Sequence, residues 1–237
     1  MTSISDRTVL VTGGTGALGT AVTQRLLREG YRVAATWREK EEAEALRDHI
    51  GDTERLLLLE TDVTHPASVD ATVEDIAGTY GPIDILVHLV GAWKGDEKVH
   101  ELSMDTWDRM HELNLRSAVI CCRAVLPSMR SRGWGRLVLV SSRTAHWGRS
   151  GQSAYAVAKA GVALLAEAIA EENRGLDVTA NVIAPSILDT AANRAAMPDA
   201  DFSAWVPVED AAASISFLAS DAAGRLQGAW LPVYGAA

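Results

Sequence analysis

Seven short runs of apolar and β-branched residues recur along the chain, and helical patterns fill the segments between them. The runs lie at residues 8–12, 32–36, 55–60, 83–89, 137–141, 177–183 and 229–233. Strands that are nearly continuous in Val, Ile and Leu are typical of a parallel sheet covered on both faces. Because helices alternate with these runs, the pattern predicts an α/β protein with a doubly wound, seven-stranded parallel sheet.

Length and charge limit the classes of protein to consider. A chain of 237 residues fits one large α/β domain and nothing in it looks like a linker, so we expect residues 1–237 to form a single domain. The formal net charge of −9 disfavours nucleic acid as a main partner. The N-terminus lacks the pattern of a signal peptide, and no apolar run approaches the ~18 residues that cross a bilayer. A cytoplasmic protein with no membrane partner is therefore expected.

The two cysteines, Cys121 and Cys122, are adjacent on a predicted helix. Adjacent cysteines do not form an ordinary disulfide with each other, and this pair has no metal-ligand spacing. We expect both to be small core residues, and we expect no metal site.

A glycine-rich turn follows the first predicted strand. Gly14, Gly16 and Gly19 match the pattern G-x-G-x-x-G, and a helical pattern over residues 17–29 follows them. Such glycines let the backbone turn tightly and approach a pyrophosphate, whose charge is favoured at a helix start. The turn predicts a dinucleotide site in a Rossmann fold, lined by Gly13, Gly14, Thr15, Gly16, Ala17, Leu18 and Gly19.

Two further strand ends bear on the choice of cofactor. Trp37 and Arg38 follow the second strand, where an acidic residue would bind the ribose hydroxyls of NAD. An arginine can instead pair with a 2′-phosphate, so NADP(H) is favoured over NAD(H), although Glu39 beside it opposes a phosphate. Asp62 and Val63 follow the third strand, near the expected adenine, where the alternative role of Asp62 is to cap the next helix.

A tyrosine and a lysine share one face of a predicted helix that begins near residue 152. Tyr155 and Lys159 lie four residues apart, so the ammonium can sit beside the phenol and stabilise its ionised form. Ser142 follows the buried strand at residues 135–141, at the carboxyl end where ligands bind in an open parallel sheet. The spacing alone is common on surface helices, so its weight comes from this setting.

These features together resemble the short-chain dehydrogenase/reductase family over essentially the whole chain. The resemblance implies that Tyr155 is the general acid or base, that Lys159 lowers its pKa and holds the nicotinamide ribose, and that Ser142 orients a substrate carbonyl. It also implies that Asn114, in H-E-L-N-L-R-S, anchors a proton-relay water. Further cofactor contacts implied by the family pattern are Gly91, Pro185, Ile187 and Thr190.

Three departures from the family pattern stand out. Ala17 and Ser186 each stand where the family has a glycine. Residues 88–91 (H-L-V-G) stand where the family has N-N-A-G, so the asparagine contacts that usually brace the sheet are expected to be absent. These departures point away from the commonest acyl-carrier-protein ketoreductases. The turn, Trp93 and residues 188–205 are similar to quinonoid dihydropteridine reductases, whereas Ser142 and Arg38 oppose that function.

Residues 189–207 form a long irregular stretch, and loops of that length usually carry function. We expect a substrate lid at about 186–207, before a helix that Pro207 and Val208 open. Substrate contacts are expected from segments flanking the cleft: Trp93, Arg143, His146, Trp147, Gln152, Met197 and Trp205. The alternative for the tryptophans is packing in the core or against a neighbouring subunit.

Three hypotheses of function follow. The first is an NADP-dependent reductase of a ketone or aldehyde, which is an alcohol dehydrogenase in reverse; the second is a reductase of a quinonoid pterin or cyclic imine. The third is a dinucleotide-binding sensor without catalysis, which the intact catalytic set opposes. The resemblance also implies a homo-oligomer, a tetramer or a dimer, with residues 227–237 at an interface.

Overall fold

The computed structural model describes residues 4–236 and contains one seven-stranded parallel sheet in the order β3-β2-β1-β4-β5-β6-β9. The strands are β1 (Thr8–Thr12), β2 (Arg32–Trp37), β3 (Leu56–Glu60), β4 (Ile85–His88), β5 (Trp134–Val140), β6 (Asp177–Pro185), β7 (Leu188–Asp189), β8 (Val206–Pro207) and β9 (Trp230–Val233). Strands β7 and β8 pair separately from the main sheet.

Eight α-helices connect these strands in the described part of the chain. They are α1 (Ala17–Arg28), α2 (Lys40–Ile50), α3 (Pro66–Tyr80), α4 (Met104–His111), α5 (Ser117–Arg132), α6 (Ser153–Glu172), α7 (Ala191–Ala196) and α8 (Val208–Ala219). A π-helical segment, Glu112–Arg116, joins α4 to α5. The predicted fold class, a doubly wound seven-stranded parallel sheet, is confirmed, and the strand bounds differ from the predicted ones by a few residues.

Two hydrophobic layers cover the sheet. On one face, α3, α5 and α6 contribute side chains such as Ile76, Val125 and Val162 to a core that also contains Cys121 and Cys122. On the other face, α1 and α8 pack against the sheet. Both cysteines are buried and free, as expected, and burial raises the pKa of the Cys121 thiol to about 12.

The position of the site follows from the strand order. The order reverses between β1 and β4, and ligands bind outside the carboxyl ends of strands at such a switch point. Each predicted motif follows the carboxyl end of a strand: the glycine turn follows β1, Gly91 follows β4, and Ser142 follows β5. The sheet therefore brings segments that are far apart in sequence to one edge.

Residues 189–207 were expected to be irregular, and that expectation is wrong. They contain α7 and a short 3₁₀ turn, and β7 pairs with β8 across the base of the segment. This segment lacks the hydrophobic pattern by which longer helices are predicted, and local polar contacts stabilise it instead. The hydroxyl of Thr190 accepts a hydrogen bond from the Asn193 backbone N–H at 3.1 Å, and Arg194 forms an ion pair with Asp189 at 2.6 Å.

One helix bears on the expectation that no apolar run approaches the length of a membrane span. Within residues 4–236, α6 is a single helix long and apolar enough to cross a bilayer by length and composition, with a mean hydropathy of 1.4 over an 18-residue window. Lys159 and Glu167 interrupt its apolar residues. In the fold, α6 packs on the sheet and supplies Val162, Ala166 and Ile169 to the core.

Candidate active site

The glycine turn after β1 is held against the end of β2. The backbone N–H of Gly13 donates to the Thr36 hydroxyl at 3.0 Å, and that of Gly14 donates to the Thr36 carbonyl at 3.0 Å. A Cβ added to Gly14 would lie 2.6 Å from the Cβ of Ala35, and one added to Gly19 would lie 2.1 Å from the carbonyl oxygen of Gly13. Packing of the turn therefore requires glycine at both positions.

Gly16 has a different role because no packing contact requires it. It is the N-cap of α1, with an extended backbone, and a Cβ placed there would have its nearest neighbour at 3.6 Å. No side chain caps α1, so the N–H groups of its first turn, which begins at Ala17, face the space above the turn. Leu18 is buried beneath this turn. The geometry suits a bound pyrophosphate.

Charges of both signs lie at the ribose end of this site. Arg38 is exposed and makes no hydrogen bond or ion pair with any residue that the structure describes, while Trp37 before it is half-buried. The hydroxyl of Thr15 donates to the Glu42 carboxylate at 2.8 Å, which holds an acidic group beside the turn. Glu42 was not among the predicted site residues, and its signal was only its place in the first turn of α2.

Asp62 organises the turn after β3 and does not directly cap α3. Its carboxylate accepts hydrogen bonds from the Thr64 hydroxyl at 2.6 Å and the Thr64 backbone N–H at 2.9 Å, and these bonds, the hydroxyl's first, lower its pKa. The N-cap of α3 is His65, whose side chain makes no cap bond. The side chain of Val63 is buried in the core, so only its backbone remains available to a ligand.

Ser142, Tyr155 and Lys159 meet where β5 ends and α6 begins. The hydroxyl of Ser142 lies 2.9 Å from that of Thr144, and the Lys159 ammonium donates to the Val140 carbonyl at 2.9 Å. The Lys159 nitrogen lies 5.9 Å from the centroid of the Tyr155 ring. Lys159 is buried, and this burial lowers its pKa to about 8.

The expected lowering of the Tyr155 pKa by Lys159 is not seen in this structure. Burial raises the pKa of Tyr155 above its ordinary value, and the neighbouring Ser142 hydroxyl lowers it only in part. The reason is geometric, since the ammonium is directed at the Val140 carbonyl and not at the phenol. The phenol of Tyr155 consequently carries its proton near neutral pH and can act as an acid.

Asn114 lies in the π-helical segment and reaches the loop after β4. Its amide nitrogen donates to the carbonyls of Ala92 and Met110, both at 2.9 Å, and its amide oxygen accepts from the Ala92 N–H at 3.2 Å. A Cβ on Gly91 would lie 2.6 Å from the Asn114 amide oxygen and 2.9 Å from the Lys159 nitrogen. Gly91 thus permits these two side chains to converge beside the loop.

The segment after β6 is tied to the C-terminal strand. Pro185 is buried at the end of β6, and the Ser186 hydroxyl donates to the Tyr234 carbonyl at 2.7 Å. Ile187 is exposed, and Thr190 caps α7. Ser186, which replaces a family glycine, therefore has a structural contact of its own.

The predicted substrate residues differ in how the structure presents them. Trp93 and Trp147 are 54% and 53% exposed, whereas Trp205 is only 5% exposed and packs on Phe202 at 4.8 Å between ring centroids. Trp205 therefore follows the packing alternative. His146 is exposed and stacks on Trp230 at 4.9 Å.

Three of the predicted substrate residues are half-buried: Arg143, Gln152 and Met197. The Arg143 guanidinium lies 5.7 Å from the centroid of the Trp147 ring and 5.3 Å from that of Tyr234. Its Nε and the Gln152 side-chain oxygen are buried without a hydrogen-bond partner among the described residues. Met197 ends α7.

His88 was not predicted as a site residue. The replacement of N-N-A-G was expected to remove bracing contacts, but His88 is buried at the end of β4 and bonds to side chains on two other elements. Its only sequence signal was a polar residue at the carboxyl end of a central strand.

Comparison with known proteins supports the reading of this site. A family model described as short chain dehydrogenase matches residues 7–201. The chain is 32% identical to the 3-oxoacyl-[acyl-carrier-protein] reductase FabG of Salmonella typhimurium over 98% of each chain. It is 33% identical to the acetoacetyl-CoA reductase of Allochromatium vinosum over 97% of each chain. A solved structure titled ElxO with NADP bound is 25% identical, has a TM-score of 0.90, and is matched over 97% of each chain.

These comparisons bear on two expectations. Despite the departures at Ala17, residues 88–91 and Ser186, the chain aligns over nearly its whole length with a relative named as an acyl-carrier-protein reductase. The resemblance to dihydropteridine reductases, which rested largely on residues 188–205, is not supported. An arrangement in which a serine, a tyrosine, a lysine and an asparagine meet at a switch point suits proton transfer to a carbonyl.

Proposed function

We propose that this chain, which belongs to the short-chain dehydrogenase family, is an NADPH-dependent reductase of a ketone. The observation that carries the proposal is the meeting of Ser142, Tyr155 and Lys159 at the end of β5, with Asn114 beside Lys159. The names of two relatives suggest 3-oxoacyl thioesters as the first substrate class to test.

The residues present fit a dinucleotide cofactor. The uncapped start of α1 and the open face of Gly16 form a cradle that a Cβ would begin to fill. When bound, NADPH supplies the hydride, and the protein's part is to bind, orient and polarise. The residues we assign to holding it are the turn at 13–19, Trp37, Arg38, Asp62, the backbone of Val63, Gly91, Tyr155, Lys159, Pro185, Ile187 and Thr190.

The chain's own residues account for the proton. The Ser142 hydroxyl orients the substrate carbonyl oxygen, and the protonated phenol of Tyr155 gives that oxygen its proton. Lys159, protonated below a pKa of about 8, would stabilise the phenolate that remains once its ammonium turns from the Val140 carbonyl towards the phenol. Asn114, bonded to Ala92 and close to Lys159, fixes the loop that borders this proton path.

Replacing the phenol tests this role directly. We expect Tyr155→Phe to abolish NADPH oxidation with acetoacetyl thioesters and simple ketones while leaving the Kd for NADPH within about twofold, because only the proton donor is lost. The measurements are steady-state kinetics and fluorescence titration of NADPH. Retained turnover in the variant would refute Tyr155 as the donor, whereas binding of NADPH without turnover by the wild-type protein across a panel of carbonyls would support the sensor hypothesis.

The preference for NADPH rests on Arg38. Its guanidinium is exposed and has no partner among the residues that the structure describes, so it can meet a 2′-phosphate, and a charge-assisted bond of this kind contributes about 1.5–3 kcal/mol. We therefore expect Arg38→Ala to lower the ratio of kcat/KM for NADPH to that for NADH by about tenfold or more. Lys40→Ala is the matched control, since Lys40 is exposed nearby but already paired with Glu44.

The acidic neighbour works against the phosphate. Glu42 is held at the turn by Thr15, so we expect Glu42→Gln to raise the preference for NADPH. An unchanged cofactor ratio in both the Arg38 and Glu42 variants would mean that the 2′-phosphate does not bind at the end of β2.

We also propose that residues 1–237 act as one domain, with a substrate lid at about 186–207, in a cytoplasmic homo-oligomer. Exposed apolar side chains on α5 and α6, which are Val119, Val157 and Leu164, favour a second copy of the chain as the partner that covers them. Light scattering of the purified protein tests the assembly. We assign Met197 in this lid, together with the exposed Trp93 and Trp147, to contact with a small carbonyl substrate.

A further inference from the structure

His88 occupies a fully enclosed polar site at the centre of the sheet. It ends β4, where it is the sheet neighbour of Thr12 at the end of β1. Its Nδ1 lies 2.7 Å from the Thr12 hydroxyl, and its Nε2 lies 3.1 Å from the Ser117 hydroxyl at the start of α5. The imidazole therefore joins the strand that leads into the glycine turn to the helix that follows the π-helical segment.

The hydrogen bonds define which ring nitrogen carries the proton. The Ser117 hydroxyl donates to the Leu113 carbonyl at 2.6 Å, so its oxygen is left to accept from His88 Nε2–H. Nδ1 is then the acceptor for the Thr12 hydroxyl. Burial, with the Lys159 charge nearby, lowers the pKa of His88 to about 3, and the ring is neutral wherever the enzyme works.

The far end of this chain of bonds is the segment that carries Asn114. The Leu113 carbonyl that Ser117 caps belongs to the π-helical segment Glu112–Arg116, and the Ser117 N–H bonds five residues back to Glu112. Such π-helical segments are rare and occur frequently at functional sites. Asn114 follows Leu113 in this segment. Its side-chain amide forms two hydrogen bonds with the backbone of Ala92, in the loop that begins just after His88.

We propose that His88 is a positioning residue, which through Ser117 and the Leu113 carbonyl holds the π-helical register that points the Asn114 amide at Ala92. The inference rests on the proposed function, because its consequence is read in the reductase reaction. His88 is only 2% exposed and its two ring nitrogens are bonded to Thr12 and Ser117, so we assign it an indirect role. Its effect is on kcat, through the placement of Asn114 beside Lys159.

Two amide substitutions separate the two bonds of His88. A glutamine amide nitrogen can occupy the place of Nε2–H and keep the bond to Ser117, whereas an asparagine amide oxygen replaces only Nδ1 and keeps the bond to Thr12. We expect His88→Gln to retain most of the wild-type kcat and His88→Asn to lose about tenfold or more, since small misplacements of this kind cost up to about 10²-fold. The Kd for NADPH should stay within about twofold in both variants.

Removal of the Ser117 hydroxyl tests the second step of the proposed chain of bonds, from Ser117 to the Leu113 carbonyl. It also provides a test that does not depend on whether the His88 variants fold. We expect Ser117→Ala to lower kcat by a similar factor, while Ser216→Ala leaves it unchanged. Ser216 is the matched control because it is also buried, and its hydroxyl donates to the carboxylate of Glu29, the residue that follows α1, at the end of that helix away from the glycine turn. In an Asn114→Ala background, Ser117→Ala should cost less than a further twofold, because both act through one amide.

A spectroscopic readout makes the inference independent of turnover. Nitrogen-15 NMR of the histidine rings, with the His88 signal assigned by its loss in His88→Gln, should show a protonated Nε2 and an unprotonated Nδ1 in the wild-type protein. The opposite tautomer, equal kcat losses in His88→Gln and His88→Asn, or full additivity with Asn114→Ala would each overturn the inference. If Tyr155→Phe is inactive while Ser117→Ala is fully active, only this inference fails and the proposed function stands.

Discussion

Lys159 shows how one buried charge serves the site at the expense of the fold. It is 5% exposed, and among residues 4–236 its ammonium donates one hydrogen bond, to the Val140 carbonyl. Taking an ammonium out of water disfavours its charged form, which is why its pKa falls to about 8. A lysine that is so placed is expected at a functional site and is costly elsewhere.

This cost gives a prediction for the free energy of unfolding. Between pH 8 and 10.5, the unfolded chain keeps the Lys159 proton while the folded protein releases it, so the stability of the wild-type protein rises with pH in this window relative to Lys159→Met. The expected gain is up to about 3 kcal/mol. Urea denaturation of both proteins at several pH values measures it. A stability difference that stays flat across the window would contradict the assignment; the buried cysteines titrate in both proteins and cancel.

At the scale of elements, the glycine turn separates what the fold needs from what the cofactor needs. A Cβ at Gly19 would lie 2.1 Å from the Gly13 carbonyl oxygen, but at Gly16 its nearest neighbour would lie at 3.6 Å. We expect Gly19→Ala to lower the free energy of unfolding by about 1–3 kcal/mol through overpacking. Gly16→Ala should leave the Tm nearly unchanged and raise the Kd for NADPH by about tenfold, which corresponds to about 1.4 kcal/mol of binding free energy.

Thermal unfolding and NADPH titration of the two variants measure this contrast. Equal loss of Tm in both variants would mean that the open face of Gly16 is a packing position. Unaltered NADPH affinity in Gly16→Ala would mean that the cofactor does not approach the turn.

The sequence predicted those elements whose signal is local. The first strand was predicted with its observed bounds, Thr8–Thr12, and α6 was predicted to begin within a residue of Ser153. The short helix α7 was missed because six residues have no hydrophobic period, and it is held by the Thr190 cap and the Arg194 ion pair. His88 was read as a loss because its partner Ser117 lies 29 residues further along the chain.

For the whole molecule, the parallel sheet explains why the candidate site could be located but not fully described from the sequence. Carboxyl ends of strands meet at one edge whatever the loops contain, so the positions of Ser142, Gly91 and the turn follow from topology. The direction of the Lys159 ammonium and the burial of Trp205 depend on three-dimensional packing, which no spacing encodes. Substrate choice is likewise a property of the assembled cleft.

The central claim is that the assembled site delivers a hydride and a proton to a ketone. It is tested most directly by mixing the wild-type protein with an acetoacetyl thioester and NADPH that carries deuterium at both C4 positions of the nicotinamide, and then analysing the product by mass spectrometry. The account predicts a 3-hydroxyacyl thioester with one deuterium on the carbinol carbon, and no such product from Tyr155→Phe. Tight binding of NADPH with no deuterium transferred to this substrate or to simpler ketones would contradict it.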